Sequence, residues 1–530
     1  MGDIINTLPL LKTLKETYPG CFITLLCYRE FSALFCESPV IDRFLRLQIG
    51  EITRAATFDE LGNVAVNPYP ELLEEYDIVI NLGFDVWPAM ICTKLKALTK
   101  YGRISSKKEE IRLLGDWMKY LFSFIHNRDY NLFSIVDIFT RSGGVPNREV
   151  SGYLPVTPEQ TEKASLLLKE NGLFNQETVL IAFQLGASEP LRAWEIEKFV
   201  QLGHLLKKFN PQIEILLIGS PSETALAEEF LRQFTYKAIN LVGITEIQEL
   251  PAVLTLCHLL ISNDTGPIHI AGAVGTKVLG IYFASAYFAE TGPYGSGHVI
   301  VQAEMPCHPC ADYCVCPHME CRQYLTAEII ALVAKGILTG KENLEFNYPH
   351  LSLYRSRFLE NGSLIYAPFP GSTIAPEFIK GLLYRFMWES ETDMPVYCQF
   401  VAPLKATLKN SPVYNELLNT FATELDTLLE IFAIGITACD GLLVMIRKPG
   451  VTAQDVAAPM NQLNIIEGFL DKREEPLSPI KHFFSFVIMD MDYLQLPALA
   501  IELKKKYQKL QGMSNSFLKN LLTVHHYLND

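Results

Sequence analysis

Residues Ser262 to Gly275 read SNDTGPIHIAGAVG, and their types and spacing suit anion binding. The run His258-Leu-Leu-Ile-Ser262 gives way to Asn263-Asp264-Thr265-Gly266-Pro267, and a small-residue helical pattern follows. That order predicts a strand, a tight turn and a helix N-terminus. The first turn of a helix carries unpaired backbone N–H groups and the positive end of the helix dipole, so it can hold a phosphate. Gly266 would let a ligand approach the backbone, and Pro267 suits the first helical position. An ordinary capped helix, with Asp264 or Thr265 as the cap, is the alternative.

A second group with chemistry is the segment CHPCADYCVCPHMEC, which holds Cys307, Cys310, Cys314, Cys316 and Cys321. Cys307-x2-Cys310 has metal-ligand spacing, and His308 and His318 are further donors. In a long chain such clustering points to metal more than to disulfides. The later cysteines do not repeat the CxxC spacing, so this is no two-knuckle zinc finger. A loop of reduced thiols is the alternative.

The elements that must position these groups form a rhythm. Strand-like runs at Val179–Gln184, Ile213–Gly219, Ile239–Val242, Leu259–Asn263 and Val278–Phe283 alternate with helical patterns such as Glu195–Phe209 and Glu223–Phe234. Alternation of this kind predicts a parallel sheet with helices on both faces, binding its ligands at the carboxyl ends of the strands. The polar loops at those ends are Gln184–Arg192, Gly219–Glu223 and Asp264–His269. Upstream, Ile4–Tyr18 has a helical pattern, and Phe22–Cys27 and Ile78–Leu82 are strand-like. Residues 151–160 form a linker that ends in the helix cap Thr157-Pro158-Glu159. After about residue 341 the rhythm fades, and the chain ends in helical patterns over Leu496–Leu510 and Asn515–Tyr527.

At 530 residues, 49% hydrophobic, the chain has material for two or three domains with ample core. A net charge of −14 argues against a nucleic-acid partner. The first residues lack the order of a secretory signal. The longest apolar stretch, Ile431–Ile446, is broken by Asp440, so no membrane span is expected. The expectation is a cytoplasmic protein, peripheral to the inner membrane at most.

Several motifs together resemble glycosyltransferase family 9, the heptosyltransferases of lipopolysaccharide synthesis. Gly2-Asp3-Ile4-Ile5-Asn6-Thr7-Leu8-Pro9-Leu10-Leu11, with Tyr18-Pro19 following, resembles the opening motif. Gln184-Leu-Gly-Ala-Ser188 with Arg192 and Trp194 resembles the second. Asp264-Thr-Gly-Pro-Ile-His269, running into Ala271–Thr276, resembles the nucleotide-diphosphate motif, and the cysteine segment resembles one found in many members. The resemblance covers residues 1 to about 335.

It implies a fold class: α/β, GT-B type, with two Rossmann-like domains facing across a cleft. The expected division is an acceptor domain over 1–155, a nucleotide-sugar domain over 156–340 and a mostly helical accessory region over 341–530. Family members begin with a strand before Gly-Asp, whereas here Met1 directly precedes Gly2. The first strand of the N-terminal sheet is therefore expected to be missing, through a start assigned too late.

The resemblance also implies roles. Asp3 would be the general base of an inverting transfer, with a plain helix cap as the alternative. Arg192 would neutralise the departing diphosphate, and Ser188 shares its loop. Glu223 would bind the nucleotide ribose or else stand solvated in a first helical turn. Thr265 and Gly266 would offer amides to the diphosphate, Asp264 would orient the loop or meet the sugar, and His269 would contact the donor or pack as a core residue. The chemistry would need no cofactor. Related autotransporter heptosyltransferases use cysteine-bound iron, which favours a structural Fe or Zn at the cysteine cluster.

The implied function is an inverting transfer of heptose from ADP-heptose to a lipopolysaccharide-core or related surface-glycan acceptor. Protein O-heptosylation, with a protein rather than a glycolipid acceptor, is the close variant. A catalytically idle GT-B scaffold or binding protein is the competing class, favoured by the missing strand and the altered second motif. An epimerase of the same fold is a third reading.

Overall fold

A computed structural model of the chain describes residues 2–35, 38–47, 69–105, 111–125, 127–172, 178–310, 316–341, 344, 346–372, 374–389, 412–446, 459–463, 466 and 496–529. The chain divides into two compact units. One comprises Met1–Leu72 with Phe133–Ile374, and the other Leu73–Leu132 with Ala375–Asp530.

The first unit opens with the helices Gly2–Ile5 and Leu8–Thr17, then β1 (Thr24–Tyr28) paired in parallel with β2 (Arg43–Leu47). In the second unit, β3 (Glu75–Asn81) runs parallel to β4 (Lys96–Ser105), and β5 (Ile111–Leu114) returns antiparallel. Among the described residues no strand joins these two small sheets, so the single N-terminal sheet expected over 1–155 is not seen.

The main sheet of the first unit holds eight strands. They are β6 (Val179–Gln184), β7 (Ile213–Ile218), β8 (Ala238–Asn240), β9 (Leu259–Asn263), β10 (Val278–Tyr282), β11 (Val299–Ala303), β12 (Leu351–Phe358) and β13 (Leu364–Pro368). Their order is β13-β12-β11-β10-β9-β6-β7-β8. The strands from β6 to β11 are mutually parallel, and β12 and β13 are antiparallel additions. Every residue of β9 and β10 is buried, as expected for strands covered on both faces. The helix Ile196–Phe209 buries Phe199, Val200, Leu202, Gly203 and Leu206, a stripe at helical spacing against the sheet. The chain proceeds outward from β6 to β8, then returns to place β9 on the other side of β6. The reversal makes a crevice at the carboxyl ends of β6 and β9, where ligands of such sheets bind.

Two sequence expectations change here. The sheet does not end at 340, because Leu351–Phe358 pairs antiparallel with β11 and carries β13 beside it. The remaining C-terminal residues join Leu73–Leu132 rather than forming a unit alone. The helix Pro376–Trp388 explains this. Its Arg385, fully buried, donates to the Leu132 carbonyl at 2.7 Å, and Tyr384 and Trp388 stack edge-on against Phe124 and Tyr120. Beyond it, the helices Pro412–Ile446 and Leu496–Asn529 pack together, with Lys504 bonded to Asp440 at 2.6 Å. The stretch Leu418–Met445 is long and apolar enough to cross a membrane by length and composition, contrary to the expectation that Asp440 breaks the run too early.

Candidate functional site

The site is built at the carboxyl ends of β6 and β9. Asn263 ends β9 and is fully buried. Its Nδ2 donates to the carbonyls of Leu185 and Gly186 at 3.1 and 3.0 Å, and its Oδ1 accepts from the Trp194 amide at 3.1 Å. One side chain thus pins both ends of the loop that leaves β6. Trp194, 1% exposed, anchors that loop further by donating Nε1–H to the Leu325 carbonyl at 2.9 Å.

Arg192 projects from this loop to Asp264, at 3.0 Å. Its guanidinium also contacts Glu189 at 2.9 Å and Ser188 at 3.4 Å. Asp264 is nearly buried, with the hydroxyls of Tyr282 and Thr291 within 3.5 and 3.4 Å. Burial, and then the Asp264 charge, push the Tyr282 hydroxyl well above its ordinary range, so it stays a donor. Sequence reasoning named Arg192, Ser188 and Asp264 but missed Glu189, Tyr282 and Thr291.

Thr265 precedes the helix Gly266–Val274 in extended backbone, yet its side chain makes no cap bond. Its hydroxyl lies instead near those of Ser262 and the Asn263 carbonyl, at 3.2 and 3.4 Å. The Thr265 side chain therefore does not cap this helix; Pro267 carries no N–H and the Ile268 amide donates to the Thr265 carbonyl at 3.2 Å, which leaves the Gly266 amide of the first turn for another acceptor. One turn on, His269 is 7% exposed and its Nδ1 has no partner. Burial pushes its imidazole down to about 4, so the ring is neutral near pH 7. Gly2 lies against that ring: a Cβ at Gly2 would come within 2.8 Å of His269 Cδ2. The helix Gly2–Ile5 thus brings exposed Asp3 to the His269 side of the site.

Glu223 stands half-buried in the first turn of a short helix, where it is held by neighbours rather than free in solvent. Its Oε2 accepts from the Ser220 amide and hydroxyl at 2.7 and 2.9 Å, and its Oε1 accepts from Gln184 Nε2 at 2.7 Å. Gln184 was not singled out from sequence.

The cysteines gather less completely. Cys307, Cys310, Cys316 and Cys321 line a cavity of 680 Å³ with His318, Met305 and Glu189. Cys314 lies outside the described residues. Burial, with Cys307 and Cys316 nearby, pushes the Cys321 thiol up, away from the thiolate that binds metal. His308 is spent on the Ala286 carbonyl at 2.9 Å. Among the described residues no three His, Cys, Asp or Glu groups are disposed to hold a metal ion, so the expected Fe or Zn site is not assembled there.

Comparison with known proteins agrees with this architecture. Residues 70–319 match glycosyltransferase family 9 (heptosyltransferase). The chain is 27% identical to lipopolysaccharide heptosyltransferase 3 of Escherichia coli K12 over 288 residues, covering 54% of this chain and 80% of that protein. It is 23% identical to the lipopolysaccharide core heptosyltransferase OpsX of Haemophilus influenzae over 306 residues, covering 56% of this chain and 80% of that one. The crystal structure of a family 9 glycosyltransferase from Veillonella parvula superposes with a TM-score of 0.53 at 21% identity, over 64% of this chain and 95% of that chain. The fold class expected from sequence, α/β of GT-B type, holds.

Proposed function

The chain is a family 9 heptosyltransferase-like glycosyltransferase, and from that premise we propose that it moves a heptose from ADP-heptose to a lipopolysaccharide-core acceptor with inversion. The observation that carries this reading is the uncapped N-terminus of Gly266–Val274 beside Arg192, at the carboxyl ends of β6 and β9. The Thr265 and Gly266 amides, the Thr265 hydroxyl and the Arg192 guanidinium would there meet the charge that develops on a departing diphosphate. Those groups supply positive potential themselves, so the reading asks for no metal in the chemistry.

Asp3 would take the proton from the acceptor hydroxyl as that oxygen bonds to the anomeric carbon and the sugar–phosphate bond breaks. The electron pair of the broken bond leaves on the diphosphate. The neutral His269 ring beside Gly2 would contact the donor without competing for that proton. Asp264 would meet the sugar, and Glu223 the ribose. A lipopolysaccharide-core acceptor would be a glycolipid, and the work would then lie at the cytoplasmic side of the inner membrane.

Calorimetric titration with ADP, ADP-heptose and UDP-sugars tests this. ADP-type ligands should bind selectively, and Asp3→Asn should abolish transfer while leaving ADP binding intact. A folded chain that binds no nucleotide would sink the transferase reading.

A further inference from the structure

Three donors converge on the Glu223 carboxylate. Two come from Ser220 and serve the capping box that opens the turn before helix Thr224–Gln233. The third comes from another strand, Gln184 at the end of β6. Gln184 is 3% exposed, and its own Oε1 is buried with no partner. An unpartnered buried acceptor costs stability, and a leucine of similar size would avoid that cost. Packing therefore does not account for an amide at this position. Capping does not either, because the capping box uses Oε2 and Gln184 holds Oε1.

What the amide does is fix Oε1. That oxygen lies against the bare backbone of Gly186, where a Cβ would come within 2.0 Å of it. Gly186 belongs to the loop that carries Ser188 and Arg192, so Oε1 stands at the edge of the candidate donor site. A carboxylate has about four lone-pair directions, and three are taken here. We infer that Gln184 is a positioning residue that aims Glu223 Oε1 across Gly186, so that its open lone pair accepts one hydroxyl of the donor's nucleotide sugar ring. The inference rests on the nucleotide-sugar reading above.

The test is calorimetry of the full chain with ADP, 2′-deoxy-ADP and 3′-deoxy-ADP. Wild type should prefer ADP over whichever deoxy nucleotide lacks the accepted hydroxyl. Gln184→Leu should weaken ADP about tenfold and erase that preference. Gln184→Glu keeps the shape but sets a second carboxyl against Glu223, and two such groups in contact cannot both ionise. Its affinity should be low at about pH 8 and recover at about pH 5.5, where one shared proton restores the hydrogen bond. A purely structural role would link affinity neither to one hydroxyl nor to pH. Folded variants that bind ADP as wild type does at both pH values overturn the inference, as does a wild type that discriminates neither hydroxyl. A wild type that binds no nucleotide removes the donor-site reading and this inference with it, a result distinct from the other two.

Discussion

Arg192 joins Ser188, Glu189 and Asp264 through one planar guanidinium, a geometry lysine cannot copy. Asp264 is 6% exposed, so removing its cation leaves a charge that water hardly reaches. Arg192→Ala should cost about 2 kcal/mol of stability, below the full price of a deeply buried pair because Arg192 is itself partly exposed. Asp264→Asn in the same chain should recover most of that loss. Urea midpoints of the two single variants and the double check this, and strictly additive losses would refute it. His269 sets a pH dependence. Its folded value, about 4, lies below the ordinary 6.5, so the unfolded chain binds the proton more tightly. Stability should therefore fall as pH drops from 6.5 towards 4, by up to about 3 kcal/mol, and be fully present above 6.5. His269→Gln should about halve the slope of urea midpoint against pH between 6.5 and 4, since His269 is one of two buried histidines with lowered values. Buried His298, pushed down to about 3, would leave a residual slope of the same sign.

At the scale of elements, the loop leaving β6 has its shape because Asn263 satisfies two carbonyls and one amide at once. Asn263→Ala would leave those three groups buried and unpaired, and a lone buried group already costs about 1–3 kcal/mol. The variant should melt well below wild type and bind ADP weakly, whereas a melting temperature unchanged from wild type would show that the loop holds itself. This staple also marks where sequence reading stopped. β6 and β9 were legible to the residue, since each is an apolar run closed by polar residues. The turn and helix after β9 were legible from Thr265-Gly266-Pro267. Asn263 was visible only as part of a turn, because its partners Leu185, Gly186 and Trp194 lie about 70–80 positions away and come near only through the β6–β9 register. Gln184 and Glu223 meet through β6–β7 pairing in the same way. β12 and β13 were missed although Leu-Ser-Leu opens LSLYRSRF with alternation, and Gly362 at φ +77° closes the turn between them. That signal sits after the βα rhythm ends, where a change of domain was the simpler expectation.

At the scale of the molecule, every residue of the candidate donor site belongs to the first unit, while the long helices belong to the second. The two properties should therefore separate under mutation. The helices Pro412–Ile446 and Leu496–Asn529 pack closely at Gly435, where a Cβ would come within 2.9 Å of three atoms of the Tyr507 ring. That ring is 1% exposed and rigid, so it cannot yield as a flexible chain end would. Nearby, Leu428, Phe432 and Leu442 are buried on the same helix, so the helices must part if Gly435 grows. Gly435→Leu should cost the second unit about 1–3 kcal/mol or more through overpacking. In scanning calorimetry it should lower the melting of that unit, and in titration it should leave ADP affinity unchanged. If ADP affinity falls in step with the melting temperature, the donor site depends on the second unit, and the assignment of donor binding to the first unit alone is wrong. If both hold as expected, nucleotide binding is a property of the first unit, and the helices of the second can change without it.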